Sequence, residues 1–405
     1  MEKTIRLSLY GDITHNGEAG RLAWQIYQSE ALTRLRDVSL SSTPSRFVPH
    51  SMAASRFEHS VGVGYLAQKL CDWRQPLAEH RQELVAAALC HDIGSPPFSH
   101  IAELFFWDLT GRTHEEETAR LLRPGSELAE ILETHRADPQ RVVETINGRD
   151  PLLGPLICGS IDLDNVDNSL HLLLSLGHDD SPYHPLRLLR AFRIQDGQVG
   201  LDSGHLADIL SWQEGRRLLY GVLHSEPNLS ASSMLYRALE YAYAKGHLDL
   251  DFFRMGESEA MEHLLHHSGR NPARLLNLAL RWKHYPMVHQ SVGPEDPRLV
   301  SLYDDWELRK EATDALARDL GLKPHQLALY VGRDRGEKAI DLPFYGQHKD
   351  AVSALFEYRR GPGRLAVFVE NSEKSLAGTR RLGKALKRFR ERLPESDPAG
   401  RHVFF

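Results

Sequence analysis

Cysteine is scarce in this sequence. There are three among 405 residues, Cys71, Cys90 and Cys158, and none forms a CxxC pair. A disulfide framework and a cysteine-based zinc ribbon are excluded, and all three, set in apolar helical contexts, are expected to be reduced core residues. Long apolar runs are lacking too. No stretch approaches the roughly 18 residues that a membrane-spanning helix needs, and the N-terminus has no charged-then-apolar segment, so a soluble, cytoplasmic protein with no membrane partner is expected. Repeats and low-complexity tracts are absent. Positive charge is not in excess either: 49 basic residues against 55 acidic ones leave a net charge of -6. A main role in coating nucleic acid is therefore not expected, and any polyphosphate ligand would need a locally positive pocket.

What is present in quantity is apolar helix punctuated by chemistry. The hydrophobic share, 41%, is enough for a full core and for two domains. The densest stretch is Ala88-Leu89-Cys90-His91-Asp92-Ile93-Gly94-Ser95-Pro96-Pro97-Phe98-Ser99-His100. The apolar run 84–89 predicts a buried helix whose last turn delivers His91 and Asp92. Glycine and two prolines then stop it, and Ser99 is placed to cap a new helix carrying His100 and Glu103. Adjacent residues lie about 100° apart on a helix, so His91 and Asp92 can share an ion only at a helix end, with other helices supplying further ligands. Two more such ends exist: Arg56-Phe57-Glu58-His59-Ser60, and Ile161-Asp162-Leu163-Asp164-Asn165-Val166-Asp167-Asn168. Together His59, His91, Asp92 and Asp164 form a two-imidazole, two-carboxylate set suited to a divalent cation, and Mn, Mg, Fe, Ni and Zn all remain open. Asp162 and Asp167 are rivals for the last ligand. His100 and Glu103, three apart, share a helix face on which the acid can orient the imidazole as a proton acceptor.

The segments RFEHSVGVGYLA, LCHDIGSPPFSH, THEEE and IDLDNVDN, in this order, resemble the HD-domain phosphohydrolases, and most of all the deoxynucleoside triphosphate triphosphohydrolases that include the bacterial dGTPases. The similarity covers roughly residues 12 to 245. It implies a mainly α fold with an HD-domain helical core, and it favours Asp164 as the fourth metal ligand, with Asp162 supporting the helix start. It also implies catalytic roles for the pair His100 and Glu103, which stand in FSHIAE as in the dGTPase FGHxGE, and for His114, which matches a histidine facing the phosphates. Arg56 matches a phosphate-binding arginine, and Arg216, Arg217 and Tyr220 resemble a helix that meets the terminal phosphates. A nucleotide substrate, an allosteric nucleotide and a homo-oligomer are implied in the same way. The chain departs from the family after Arg36, where a sugar- or base-reading segment is usual, at Ser95, where many relatives carry histidine, and at Asn165, Asn168 and Leu172, where dNTP-acting relatives carry lysine, tyrosine and aspartate.

The rest of the chain reads as helix after helix. Helices are expected over 26–35, 126–135, 140–146, 206–224 and 231–244, with a small β-hairpin over 188–201 turning at Gln195-Asp196-Gly197. A boundary near residue 290 separates an HD phosphohydrolase domain, 1–290, from a smaller C-terminal α+β lobe, 291–405. In that lobe a helix is expected over 305–320, strands over 327–331, 351–358 and 365–369, and a basic helix over 376–393 that could take nucleic acid or an allosteric nucleotide or present a solvated face.

Overall fold

A computed structural model describes residues 3–49, 53–178, 183–357 and 361–396. The chain opens with an antiparallel hairpin, β1 (Lys3–Leu7) and β2 (Gly11–His15), and continues into α1 (Gly17–Gln28). The single helix expected over 26–35 is broken. Ser29 adopts an extended backbone, its hydroxyl accepting from the Leu32 amide to start a second short helix, Glu30–Arg34.

Helix α2 (Arg56–Trp73) begins on a capping box, the Ser55 hydroxyl accepting from the Glu58 amide while the Glu58 carboxylate accepts from the Ser55 amide. The predicted apolar helix is α3 (Arg81–Cys90), buried from Leu84 to Cys90. It packs so closely on α2 that a Cβ on Gly64 would stand 2.5 Å from Leu89. Then come α4 (His100–Thr110), α5 (His114–Leu121), α6 (Glu127–Thr134), α7 (Pro139–Ile146) and α8 (Leu163–Ser175). Asp162 caps α8, accepting from the Asn165 amide at 2.7 Å, as expected of it. Ser99 does not cap α4: its backbone is left-handed, φ 49°, and its hydroxyl instead accepts from Arg56 Nε and donates to the Ser39 carbonyl.

The hairpin is β3 (Phe192–Gln195) and β4 (Gln198–Asp202), closed by Asp196 and Gly197 at φ 52° and 75°. Its expected first residues, 188–191, are helical instead, continuing a turn that Pro185 starts. Long helices α9 (Leu206–Leu223) and α10 (Glu226–Tyr243) follow, then α11 (Glu257–His266) and α12 (Arg270–Leu280).

The C-terminal part is α+β: β5 (Met287–Gly293), α13 (Trp306–Asp319), β6 (Leu327–Arg333), β7 (Phe344–Tyr345), α14 (Lys349–Leu355), β8 (Gly363–Val369) and α15 (Arg380–Arg392). Strand β8 lies between β5 and β6, antiparallel to both. Period-two alternation sends Ala328, Tyr330, Ala366 and Phe368 to one face, against α4, α10 and α12, and Leu327, Leu329, Val331, Leu365 and Val367 to the other, against α13 and α15. The expected strand over 351–358 is a helix as far as Leu355, because Val352 and Phe356, four apart, both face the N-terminal core; Tyr358 lies outside the described residues. Helix α15 is shorter than expected, with residues 371–376 in a separate 3₁₀ turn. Part of its charge is taken up by ion pairs from Arg388 and Arg392 to Asp319 and from Arg390 to Asp296.

Residue 290 falls within β5, and the chain crosses back beyond it: β7 adds to β4 in parallel, and Ile340, Phe344, Val352 and Phe356 belong to the N-terminal core. No helix of the described residues is long and apolar enough to cross a membrane.

Candidate metal centre

Three helix ends meet at one point. His59 sits one turn into α2, His91 caps the C-terminus of α3 with Asp92 next in the turn, and Asp164 lies in the first turn of α8. His59 Nε2 is 3.2 Å from His91 Nε2, 3.1 Å from Asp164 Oδ1 and 3.8 Å from Asp92 Oδ2. His91 Nε2 is 3.5 Å from Asp92 Oδ2 and 4.0 Å from Asp164 Oδ1. Ligands about 2.1 Å from one ion stand roughly 3.0 Å apart at right angles and at most roughly 4.2 Å apart, so His59, His91 and Asp164 are spaced to share one ion, with Asp92 Oδ2 at 3.8 Å and 3.5 Å from the two imidazoles.

The far sides of the imidazoles fix which nitrogen faces inward. His59 Nδ1–H donates to Asp167 Oδ1 at 2.7 Å, and His91 Nδ1–H donates to the Ala88 carbonyl at 2.9 Å. In their neutral forms both rings would therefore turn Nε2 lone pairs toward each other, an arrangement that a cation between them completes. Asp92 Oδ2 is buried without a hydrogen-bond partner, while Oδ1 pairs with Arg56 Nη1 at 2.5 Å. Burial alone would lower the His59 pKa, but Asp164 and Asp167 overcome it and raise the ring to about 10, so the pocket favours positive charge there. Burial likewise pushes Asp92 and Asp164 up, and the neighbouring cationic groups, Arg56 for Asp92 and His59 for Asp164, hold both below the usual carboxylate range. The donor set and its orphaned oxygen fit a divalent metal ion.

A second cluster flanks the first. His100, half-exposed on the first turn of α4, donates from Nδ1 to Glu103 Oε2 at 2.8 Å, which leaves Nε2 free to accept a proton. His114, at the start of α5, bonds the other Glu103 oxygen through its own Nδ1. Burial would lower the His114 pKa, but the Glu103 carboxylate raises it to about 9. Glu103 itself is held well below its ordinary value: burial pushes it up, and His114 and His100 more than reverse that.

His59, His91, Asp92, Asp164, His100 and His114 line one cavity of about 1010 Å³. Arg56, Arg216 and Tyr220 are on its wall; Arg217, the next residue round α9, is not, and its guanidinium lies between Glu214 and Glu337. Cys158, expected in the core, is exposed on the cavity wall, because the preceding Leu156 and Ile157 take the buried positions; Cys71 and Cys90 are buried. Sequence reasoning missed the groups behind His59. Asp167, a rival ligand, instead bonds His59, His171 Nδ1 at 2.6 Å and the Tyr10 hydroxyl at 2.6 Å. His171 stands four residues after Asp167, a spacing that could have revealed it. Nothing local to Tyr10 signals its role. Also missed were Tyr330, Arg333, Arg335 and Lys338, which reach the cavity from the C-terminal part.

A family model, the HD domain, matches residues 56–149. Among relatives, an uncharacterized protein of Methanocaldococcus jannaschii is 26% identical over 283 residues, 65% of this chain and 57% of the relative. A deoxynucleoside triphosphate triphosphohydrolase SAMHD1 homolog of Dictyostelium discoideum is 43% identical over 98 residues, 22% of this chain and 19% of the relative. The chain spans a little over half the length of the first of these and about a fifth of the second. Among solved structures, a hypothetical protein of Aquifex aeolicus superposes with a TM-score of 0.71 at 20% identity, covering 93% of this chain and 100% of that one. A phosphohydrolase of Bacteroides thetaiotaomicron does so with a TM-score of 0.68 at 18% identity, covering 90% and 99%. At these identities the two structures establish a shared fold.

Proposed function

We propose, from the premise that this chain is a member of the HD-domain superfamily, that it is a metal-dependent nucleotide phosphohydrolase that converts (deoxy)nucleoside triphosphates to nucleoside and tripolyphosphate. The observation that carries the reading is the convergence of His59, His91, Asp92 and Asp164 around a buried, unpartnered carboxylate oxygen. A divalent ion in that set, manganese or magnesium in the first instance, would polarise the phosphoryl group and acidify water. Arg56 neutralises phosphate charge next to Asp92, and Arg216 does so from α9 with Tyr220 beside it. His100 accepts the proton of the attacking water at Nε2, held in orientation by Glu103. His114, kept protonated at neutral pH by Glu103, hands a proton to the departing oxygen or donates to phosphate. A cytoplasmic location, a homo-oligomer, an allosteric nucleotide and a division into a catalytic unit and a C-terminal lobe belong to the same proposal.

A second reading has support from one feature. Asn165, Asn168 and Leu172 put neutral side chains on the cavity wall beside Asp164, which suits another phosphoester (a nucleoside monophosphate, a cyclic nucleotide or an alarmone) or a nucleotide sensor of little activity. Incubating the metal-loaded protein with the common NTPs and dNTPs and resolving the products separates these. Nucleoside with tripolyphosphate, lost in Asp92→Ala, supports the first reading; nucleoside monophosphate with pyrophosphate, or no product at all, removes it.

A further inference from the structure

Part of the cavity wall comes from a segment far from the HD motifs. Residues 334–341 run between β6 and β7, and Asp334, Arg335, Glu337 and Lys338 line the cavity together with the metal-type ligands. The segment has no regular structure, yet it is fastened along its length. The Gln213 side chain on α9 pairs with the Lys338 main chain in both directions, its amide donating to the carbonyl and its Oε1 accepting from the N–H at 3.2 Å. Arg216 Nη2 donates to the Arg335 carbonyl at 2.7 Å, and the Asp341 N–H donates to Ser160 Oγ at 3.0 Å. Ile340 and Phe344 anchor the far end in the N-terminal core. A wall held this way is organised before any ligand arrives.

Two cations face the cavity there, and their hydrogen bonds go to neutral oxygens. Arg216 is 7% exposed, and its hydrogen bonds go to the Arg335 carbonyl and, at 3.3 Å, to Asn165 Oδ1, while Nε has no partner. Rings of Trp212 and Tyr220, each 5.4 Å from the guanidinium, keep it in place. Lys338 Nζ donates to the Gly159 carbonyl at 3.0 Å and forms no ion pair among the described residues. Asp162, beside Gly159 in the loop, interacts electrostatically with Lys338 and also accepts from the main-chain N–H groups of Gly159 and Asn165. The buried Arg216 guanidinium, with no ion pair among the described residues, is unfavourable until an anion completes it, and Lys338 adds a second cation to the same wall. Arg56 already serves the immediate surroundings of the metal-type ligands through Asp92, so this further charge suits an anion that extends beyond one phosphate.

We infer that the C-terminal segment completes the anion subsite, with Lys338 and Arg216, on one cavity wall, binding the outer phosphates of a polyphosphate tail and so selecting triphosphates over monophosphates. The inference rests on the nucleotide reading above for the tail's owner, but not for its chemistry. The test is calorimetric binding of inorganic tripolyphosphate and of orthophosphate, both in excess magnesium, to wild-type full-length protein, Lys338→Gln and Lys338→Arg. Removing one charge-assisted contact should weaken tripolyphosphate binding on the order of tenfold or more in Lys338→Gln, with orthophosphate unaffected and Lys338→Arg close to wild type. Equal tripolyphosphate affinity in wild type and Lys338→Gln, or no tripolyphosphate binding by the wild type, would overturn the subsite. Binding requires no turnover: Lys338-dependent tripolyphosphate binding in a protein that yields no products would uphold the subsite and remove the hydrolase reading instead.

Discussion

Asp167 shows how much of this site is decided one residue behind the ligands. Fully buried, it takes the Nδ1–H of His59, and its pKa is pulled down to about 2 by His171 and His59, against a burial effect that would raise it. Gly62 makes the contact possible, since a Cβ there would collide with the Asp167 carboxylate. Asp167→Asn removes the charge and offers the amide in either orientation, so the inward Nε2 is no longer enforced. Metal affinity should drop about 10- to 100-fold, read by competition with a chelating dye, with the fold intact; unchanged affinity would mean that Asp167 is only a packing residue. Glu103 has a different signature. Its carboxylate is what raises His114 to about 9, so the rate should fall on the alkaline side as His114 loses its proton near that pH. In Glu103→Gln the imidazole reverts toward its ordinary value, and the alkaline limb of the pH–rate profile should move to lower pH. A limb that stays in place would exclude His114 as the titrating group.

The residues around them also mark what local sequence can bring together. His59, His91, Asp92 and Asp164 were legible because each ends or begins a helix within its own motif, and His100 and Glu103 because three-residue spacing puts them on one face. Tyr10 and Lys338 were not, because the chain closes 157 residues between Tyr10 and Asp167 and 179 between Gly159 and Lys338, and no local spacing encodes such contacts.

At the scale of elements, packing overrode local pattern in identifiable places. Residues 351–358 have the apolar content of a strand, but β7 already pairs with β4 there, and Val352 and Phe356 reach the core only as successive turns of a helix. Helix α11 carries a burden of its own at its first residue. Glu257 is buried, accepts from the Ser39 hydroxyl, and is raised to about 7 by burial, the Ser39 hydrogen bond opposing. The sign follows directly. The folded chain prefers the protonated acid, so stability is highest below the unfolded pKa of about 4.5 and is lost as pH rises toward 7. Glu257→Gln should therefore stabilise the protein by roughly 2 to 3 kcal/mol at pH 8 and by almost nothing at pH 4, in paired denaturant melts. An equal effect at both pH values would show that ionisation of Glu257 is not the cause.

On the scale of the whole molecule, the C-terminal part is built into the interior rather than appended to it. Its sheet covers α4, α10 and α12 with Tyr330 and Phe368, and its 334–341 segment walls the cavity. The change of composition near residue 290 was visible in the sequence, but the return of the chain into the N-terminal core was not, because it depends on contacts with residues some 140 positions earlier. Ending the chain at residue 290 should leave that helical face uncovered, so the fragment should lack a cooperative thermal transition. A sharp transition close to that of the full chain would show two independent units.

On the proposed reading, formation of nucleoside and tripolyphosphate means that water attacks the α-phosphorus at the His59, His91, Asp92 and Asp164 centre. The most direct measurement is hydrolysis of a deoxynucleoside triphosphate by the metal-loaded protein in ¹⁸O-labelled water, followed by mass analysis of both products. One labelled oxygen is expected in tripolyphosphate and none in the nucleoside. Label in the nucleoside, or in pyrophosphate or a nucleoside monophosphate, would contradict it.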